Sequence, residues 1–239
     1  MDNAVYVALS KQTVAVRQMD VLANNLANSS TSGFKADGMY FREYMVQDAD
    51  NKKTSYVEDL ATYSDFSQGN LERTGSPLDL AIQGEGYFAI STPDGERYTR
   101  AGNFTINDQG EMTTMDGNRV LDNSGQPIVF EPEDVEITVF SDGRVEVDGE
   151  ERGVVGVYNF SSPSALKKDS NNLFRSDEVP VVSENGSIAQ GMIENSNVKP
   201  ILEMTKIIEV QRDYERTHKF INAIYELQED AIRRTGREG

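Results

Sequence analysis

Two stretches at opposite ends of the chain carry small or apolar side chains at alternating spacings of four and three residues. One spans residues 2–28 and the other residues 199–234. Such spacing places a stripe along one side of an α-helix, as in a coiled-coil seam. The stripes are Val5, Leu9, Gln12, Val16, Met19, Ala23 and Leu26, and Ile207, Val210, Tyr214, Thr217, Ile221, Ile224 and Ala231. We therefore predict two terminal helices that pair along their stripes.

The middle of the chain has the pattern of a β domain. Residues 77–190 contain short apolar runs, such as Tyr87–Ile90 and Val145–Val147, and Asp-Gly pairs separate many of them. Asp-Gly accepts the positive φ angles of tight hairpin turns. No helical period intervenes between the runs, so parallel βαβ units are not expected. The predicted fold class is α+β, with terminal helices that pair as a coiled-coil-like assembly domain and a central, mainly antiparallel β domain.

Breaks in these patterns predict four segments. The run from Ser29 to Gly33 stops the first helix, and Pro200 suits the first turn of the last one. The predicted segments are residues 1–33 as an N-terminal assembly helix, 34–76 as an extended linker or arm, 77–195 as the central β domain and 196–239 as a C-terminal assembly helix.

The charge of the chain excludes several classes of partner. It has 40 acidic and 23 basic residues and a formal net charge of -17. Nucleic acid and anionic membrane surfaces would be repelled. The sequence has no run of about 18 apolar residues, which is the length that would predict a membrane-spanning helix. The N-terminus lacks the basic start and pure apolar stretch of a cleaved secretory signal. We expect no nucleic-acid partner and no direct membrane insertion.

The residue types that build reactive centres are scarce. There is no cysteine, and His218 is the only histidine. A catalytic dyad or a zinc site at His218 would need partners that the sequence lacks. Gln83-Gly84-Glu85-Gly86-Tyr87 lacks the third glycine and the following helix of a dinucleotide site, and it predicts a turn or bulge. We expect no catalytic residue, no cofactor, no metal ion and no enzymatic activity.

One segment resembles a known signature. Residues 23–35 resemble the Asn-Asn-Leu-Ala-Asn and Thr-x-Gly-Phe-Lys blocks of bacterial flagellar rod and hook proteins. The residues that carry this signature are Asn24, Asn25, Leu26, Asn28, Thr31, Gly33 and Phe34. Further blocks, similar to those of the family and in the same order, are Thr74–Ile82, Gly84–Phe88, Tyr98–Phe104, Ser196–Val198, Glu203–Ile208 and Gln211–Glu215. Within the flagellar basal-body rod family, Asp2–Ser10, Lys35–Asp37 and Phe41–Tyr44 look like the proximal-rod branch.

The resemblance implies a structural subunit of the flagellar basal-body rod in the periplasmic space. Such a subunit would leave the cytoplasm through the flagellar type III export apparatus without signal cleavage. It would polymerise with copies of itself and with other rod proteins, and it would transmit motor torque. The residues predicted at the assembly interface are Val5, Leu9, Val16, Met19, Leu26, Ile207, Val210, Tyr214, Ile221 and Ile224. We expect Ile221 to be largely solvated in the isolated chain.

Other functions are also compatible with the residue pattern. One alternative is a different axial subunit of the same family, such as a distal rod protein. Another is a secreted β-rich enzyme with helical flanks, which turnover of a substrate would identify. A third is a soluble regulator or adhesin that dimerises through its helices, which sedimentation would identify as a closed dimer.

Overall fold

The computed structural model describes residues 2–47, 53–131, 136–162, 165–170, 172–183 and 186–235. Helix α1 spans Asp2–Ala27 and helix α2 spans Pro200–Thr235. The strands between them pair antiparallel. The predicted fold class is therefore confirmed. Neither helix in the described part of the chain has an apolar stretch long enough to cross a membrane.

The chain forms two compact units. The helix unit contains Met1–Ala27, Asp37–Asp65 and Lys199–Gly239, and the β unit contains Asn28–Ala36 and Phe66–Val198. These boundaries differ from the four predicted segments. Residues 28–36 belong to the β unit, where Phe34 and Lys35 are buried. Most of the predicted arm instead forms a strand pair of the helix unit.

That strand pair is a long hairpin. Strand β1 spans Asp37–Gln47 and strand β2 spans Lys53–Ser64, with Asp37 paired to Ser64 at the base. The rings of Tyr40 and Tyr63 lie 4.4 Å apart. The hairpin contacts α1, so it is part of the helix unit rather than a free linker.

Local signals explain where the two helices begin and end. Helix α1 stops before a run of residues that favour turns, Asn28–Gly33, and Gly33 has a φ of 66°. Helix α2 starts at Pro200, whose missing N–H would have no partner in the first turn. Glu203 lies in that first turn and Arg233 and Arg234 in the last turn, which complements the helix dipole.

The β unit is built from short strands joined by tight turns. Its strands are β3 (Leu71–Arg73), β4 (Leu80–Gln83), β5 (Tyr87–Thr92), β6 (Gly95–Thr99), β7 (Phe104–Ile106), β8 (Met112–Thr114), β9 (Arg119–Val120), β10 (Ile137–Val139), β11 (Arg144–Val147), β12 (Glu150–Val154), β13 (Val157–Asn159), β14 (Leu166–Lys168), β15 (Phe174–Ser176), β16 (Val181–Val182), β17 (Ser187–Gln190) and β18 (Met192–Glu194). The main sheet has the order β14-β15-β6-β5-β9-β8-β7, and β13 pairs with both β5 and β16. Smaller sheets are β10-β11-β12, β17-β4 and β18-β3.

Strand β5 is the centre of the β unit because both of its faces are covered. Phe88 and Ile90 belong to one hydrophobic cluster, and Tyr87 and Ala89 belong to a second cluster. Successive side chains of a strand point to opposite faces. A continuous apolar run therefore marks a strand that is buried on both sides, which is how this sequence reads from residue 87 to residue 90.

The predicted Asp-Gly turns are present. Asp148 and Gly149 have φ angles of 50° and 88°, as a two-residue turn with both central residues left-handed requires, and they connect β11 to β12. Gly95 begins β6 and also has a positive φ. Gly84 and Gly86 have positive φ in a bend between β4 and β5, and a strand rather than a helix follows, as expected for a turn or bulge and not for a dinucleotide site.

Candidate assembly interface

Helices α1 and α2 pair antiparallel. The Asn25 amide donates to Glu203 Oε2 at 3.2 Å, and Gln12 Nε2 lies 3.5 Å from His218 Nδ1. Moving towards the N-terminus of α1 therefore means moving towards the C-terminus of α2. The only histidine lies at this helix contact, with its ring nearly parallel to that of Tyr214.

From Ile207 to Ile224, the predicted stripe of α2 faces α1 of the same chain, whereas Ala231 is exposed. Ile207, Val210 and Tyr214 are half-buried. Ile221 and Ile224 are each only 9 % exposed, and the helix register places them across from the first turns of α1. The expectation that Ile221 is solvated in the isolated chain is wrong, because α1 covers it.

The stripe of α1 lies at a different register from the predicted one. Ala8 and Leu22 are buried, whereas Leu9 and Val16 are 52 % and 42 % exposed. Val5, Met19 and Leu26 are half-buried. A second four-and-three pattern in the same helix makes up the observed seam, namely Ala8, Gln12, Ala15, Met19, Leu22 and Leu26. The sequence hid this seam because alanine is a weak apolar signal beside Leu9 and Val16.

Several large apolar side chains of the helix unit point away from the seam. On α1 these are Tyr6, Leu9 and Val16, all more than two-fifths exposed. On α2, Ile201, Met204 and Ile208 lie at helical spacing on a face different from the seam and are at least half exposed. Helices in a soluble monomer normally direct such side chains to a core. The outward set is therefore available for a further contact.

A groove runs beside the helix pair. It has a volume of about 450 Å³ and is lined by Val14, Ala15, Val210, Tyr214 and Thr217. Lys11, Gln18, Asp213 and Arg216 also line it. Short side chains such as Ala15 leave the space between the two helices unfilled.

The signature residues divide between the two units. In the helix unit, Asn25 is 2 % exposed and Leu26 is half-buried, whereas Asn24 faces solvent. In the β unit, Thr31 Oγ1 donates to Asn28 Oδ1 at 3.2 Å and closes the turn that follows α1. One signature therefore serves two separate structural tasks.

Gly33 and Phe34 fit tightly into the β unit. The N–H of Gly33 donates to the Glu194 carbonyl at 2.7 Å, and a Cβ on Gly33 would lie 2.3 Å from Ala101 N. Its φ of 66° also favours glycine. Phe34 is 3 % exposed, and the Lys168 ammonium lies 3.9 Å from its ring centre. Only glycine at residue 33 permits this close approach.

Lys35 completes the signature with a buried ion pair. Its ammonium donates to Glu194 Oε1 at 2.6 Å and to the Ser67 carbonyl at 2.7 Å, and both charged side chains are at most 1 % exposed. The other Glu194 oxygen lies 3.4 Å from Arg100 Nη1. The N–H of Gly69 also donates to Glu194. A buried carboxylate with three donors is well satisfied.

The described residues contain no cluster of three or more histidine, cysteine, aspartate or glutamate side chains that could hold a metal ion. Burial raises the pKa of Tyr87 to about 12, and the positive charge of Arg100 partly opposes this increase. Burial also raises the pKa values of Tyr98 and Tyr158. These tyrosines pack in the second hydrophobic cluster. Their shifts therefore report core packing.

Three family models match successive parts of the chain. Residues 6–35 match the flagella basal body rod protein model, and residues 189–234 match the C-terminal model of the flagellar basal body rod FlgEFG proteins. Residues 81–147 match the D1 domain model of the flagellar hook protein FlgE/F/G group. The flagellar basal-body rod protein FlgF of Caulobacter vibrioides is 38 % identical, with 99 % of each chain covered. The chain belongs to the flagellar basal-body rod protein family.

Other members of the rod family align over nearly the whole chain. FlgF of Mesorhizobium japonicum is 37 % identical, with 99 % of each chain covered. The rod protein FlgG of Bacillus subtilis is 30 % identical over 97 % of this chain and 98 % of its own. The first family model covers most of α1 and the signature that follows it, and the last one covers nearly all of α2. The likeness thus includes both helices of the antiparallel pair.

Proposed function

We propose that this protein is a FlgF-type structural subunit of the flagellar basal-body rod. The observation that carries the proposal is full-length similarity to FlgF proteins, combined with a helix unit that keeps large apolar side chains exposed. Four FlgF relatives are 31 % to 38 % identical, and four FlgG relatives are 30 % to 33 % identical. In Caulobacter vibrioides, FlgF is 38 % identical and FlgG is 33 % identical, which favours the proximal over the distal rod branch. Nothing in the family assignment favours an enzyme, and the role is structural.

The helix pair is the proposed assembly block. Its seam residues, among them Met19, Leu26, Ile207, Val210, Tyr214, Ile221 and Ile224, hold α1 against α2 and so build the surface. Leu9 and Val16, with Val5 beside them, present that surface to neighbouring subunits. Burying a side chain the size of leucine contributes on the order of 2 kcal/mol before ordering costs.

Repetition of this contact explains how a small subunit can transmit torque. Contacts between different patches of successive copies extend as a helical array when the rotation from one copy to the next does not close a ring. Torque is then shared among many parallel contacts. The partners are copies of this chain and other rod proteins.

The proposed location is the rod in the periplasmic space. Delivery is through the flagellar type III export apparatus, with the N-terminus retained. Support comes from the family and from α1, because its first turns take part in the helix seam. Cleavage of a leader within α1 would remove residues that cover Ile221 and Ile224.

Leu9→Glu tests the assembly role. A carboxylate at this exposed position leaves the helix pair intact but would be buried at a subunit contact, where an unpaired charge is strongly unfavourable. We expect normal helix content, normal export and loss of motility when the variant complements a strain lacking the native protein. Motility on soft agar and electron microscopy of basal bodies provide the measurements.

Gln211→Glu is the matched control, because it adds the same charge at an exposed polar position of α2. Leu9→Met, which keeps an apolar side chain, should swim like the parent. Full motility of Leu9→Glu would show that the Leu9 surface is not an assembly contact. A rod of normal length in cells that lack the whole protein would contradict the proposed function itself.

A further inference from the structure

Asn25 connects three elements of the helix unit. Its side-chain oxygen accepts from the Asp37 N–H at 2.8 Å, and its amide nitrogen donates to the Asp37 carbonyl at 2.8 Å. The same nitrogen donates to Glu203 Oε2 at 3.2 Å. Helix α1, the first residue of β1 and the first turn of α2 therefore meet at one buried amide.

The two bonds to Asp37 hold the base of the hairpin. The Asn25 side chain accepts from the Asp37 N–H and donates to the Asp37 carbonyl. It therefore pairs with Asp37 as the backbone of a neighbouring strand would. The Asp37 carboxylate accepts from Ser64 Oγ at 2.7 Å, which ties β1 to the end of β2. Asn25 thus fixes the point where the hairpin leaves α1.

The bond to Glu203 acts on the helix pair. Glu203 occupies the seam position of α2 one turn before Ile207. It is the only charged residue of this seam, because every later seam residue up to Ile224 is apolar or uncharged. It is 6 % exposed, and its other oxygen accepts from Lys206 at 2.7 Å. A slip of α2 along α1 would break the Asn25–Glu203 bond and leave the buried Glu203 Oε2 without this donor, which is costly. A single buried polar residue can set the register of a helix pair in this way.

We propose that Asn25 is a positioning residue with two separable tasks: through Glu203 it sets the register of α1 and α2, and through Asp37 it sets the direction of the hairpin. The apolar seam alone does not define one register, because α1 carries two overlapping four-and-three patterns. The stripe predicted from the sequence, which includes Leu9 and Val16, could face α2 after a small rotation and slip. The buried amide selects the observed alternative.

The two tasks can be separated by reversing the polarity of one bond. Asn25→Asp removes the donor to both Glu203 and Asp37, and it places two carboxylates together. Adding Glu203→Gln restores a donor and an acceptor between the helices, because the glutamine amide can donate to the new carboxylate. The bond to the Asp37 carbonyl stays lost. The double variant should therefore recover the register but not the hairpin.

Distances between spin labels measure both tasks in the full-length protein. The chain has no cysteine, so labels attach only where cysteine is introduced. Asp20→Cys with Glu209→Cys reports the helix register, and Asp20→Cys with Thr62→Cys reports the hairpin; all three positions are exposed. In Asn25→Asp, both distances should shift or broaden by about 5 Å or more, because a slip by one helical turn moves a residue by about that length. The double variant should restore only the first distance.

Asn24→Asp is the matched control, since it makes the same change at the exposed neighbouring position. Glu203→Gln alone should also keep both distances, because its amide oxygen still accepts from Asn25. Unchanged distances in Asn25→Asp, or no recovery of the helix distance in the double variant, would overturn the proposal. Asn25→Asp could lose its helix signal in circular dichroism. In that case, the proposal is supported if the double variant regains both the helix signal and the helix distance, and it is refuted if the double variant does not.

Discussion

At the scale of single residues, the family signature acts through buried polar groups. Asn25 and Lys35 are almost completely buried, and their side chains bond to Asp37 and Glu203, and to Ser67 and Glu194, which lie in the same unit as each. Buried polar groups with complete partners specify one arrangement, whereas the same groups without partners are strongly destabilising. A substitution in the signature should therefore damage the structure before it alters any surface.

Lys35→Met should destabilise the β unit. It leaves the buried Glu194 carboxylate with Arg100 and the Gly69 N–H, and removal of one partner of a buried pair costs about 3 kcal/mol. Urea unfolding followed by tyrosine fluorescence measures the change. Lys167→Met removes an exposed ion pair with Asp177 and should leave the midpoint unchanged. Equal midpoints for both variants would show that the buried pair does not contribute to stability.

Tyr87 predicts how stability falls at alkaline pH. Its pKa is raised to about 12 in the folded chain, so the unfolded tyrosine, with a pKa near 10, loses its proton first. The contribution of the protonated Tyr87 to the free energy of unfolding is complete below pH 10 and is lost as the pH rises towards 12. We expect Tyr87 to account for about 1 kcal/mol of lost stability by pH 11. Urea unfolding at pH 8 and pH 11 should show a smaller loss in Tyr87→Phe than in the parent.

At the scale of elements, the helices and the β strands have different sources of stability. Each helix buries one stripe, and α1 and α2 cover each other along the seam. An isolated helix gains little from propensity alone and depends on such packing. Strand β5 is instead covered on both faces within the β unit. The two kinds of element should therefore respond to different substitutions.

Ile221→Asp should loosen the helix pair and leave the β unit folded. The introduced carboxylate would replace a side chain that is 9 % exposed in the seam, so it either stays buried at high cost or separates the helices. We expect loss of helix signal in circular dichroism, faster proteolysis of α2 and an unchanged melting transition of the β unit. Lys219→Asp, at an exposed position of the same helix, is the control. Melting of the β unit by Ile221→Asp would show that the units are not independent.

At the scale of the whole molecule, the chain alternates between two units. The helix unit receives its parts from three separate stretches of sequence, and the β unit receives its parts from two. Four consecutive segments cannot describe units that are assembled from separate stretches of sequence. Even neighbouring residues such as Ala27 and Asn28 belong to different units. Charge also acts at this scale: a net charge of -17 opposes close approach of identical chains. Apolar contacts must outweigh that repulsion in any assembled form.

The sequence by itself determined the features that depend on local pattern. The alternating spacings of four and three residues identified both helices, Pro200 and Gly33 marked a start and a stop, and Asp148-Gly149 identified a hairpin turn. Each of these depends on the conformational range of one residue or on the spacing within one helix. The signature blocks indicated the family for the same reason, because they can be read along the chain without knowledge of contacts.

Only the tertiary structure decided which surfaces meet. Two overlapping stripes on α1 satisfy the same spacing rule, and the buried contacts at Ala8, Leu22 and Asn25 select between them. The partners of Lys35 and Glu203 lie 159 and 178 residues away along the chain. A spacing rule describes one element, whereas burial and hydrogen bonding depend on the element packed against it. The register of the helix pair and the position of the hairpin therefore follow from contacts that no local pattern specifies.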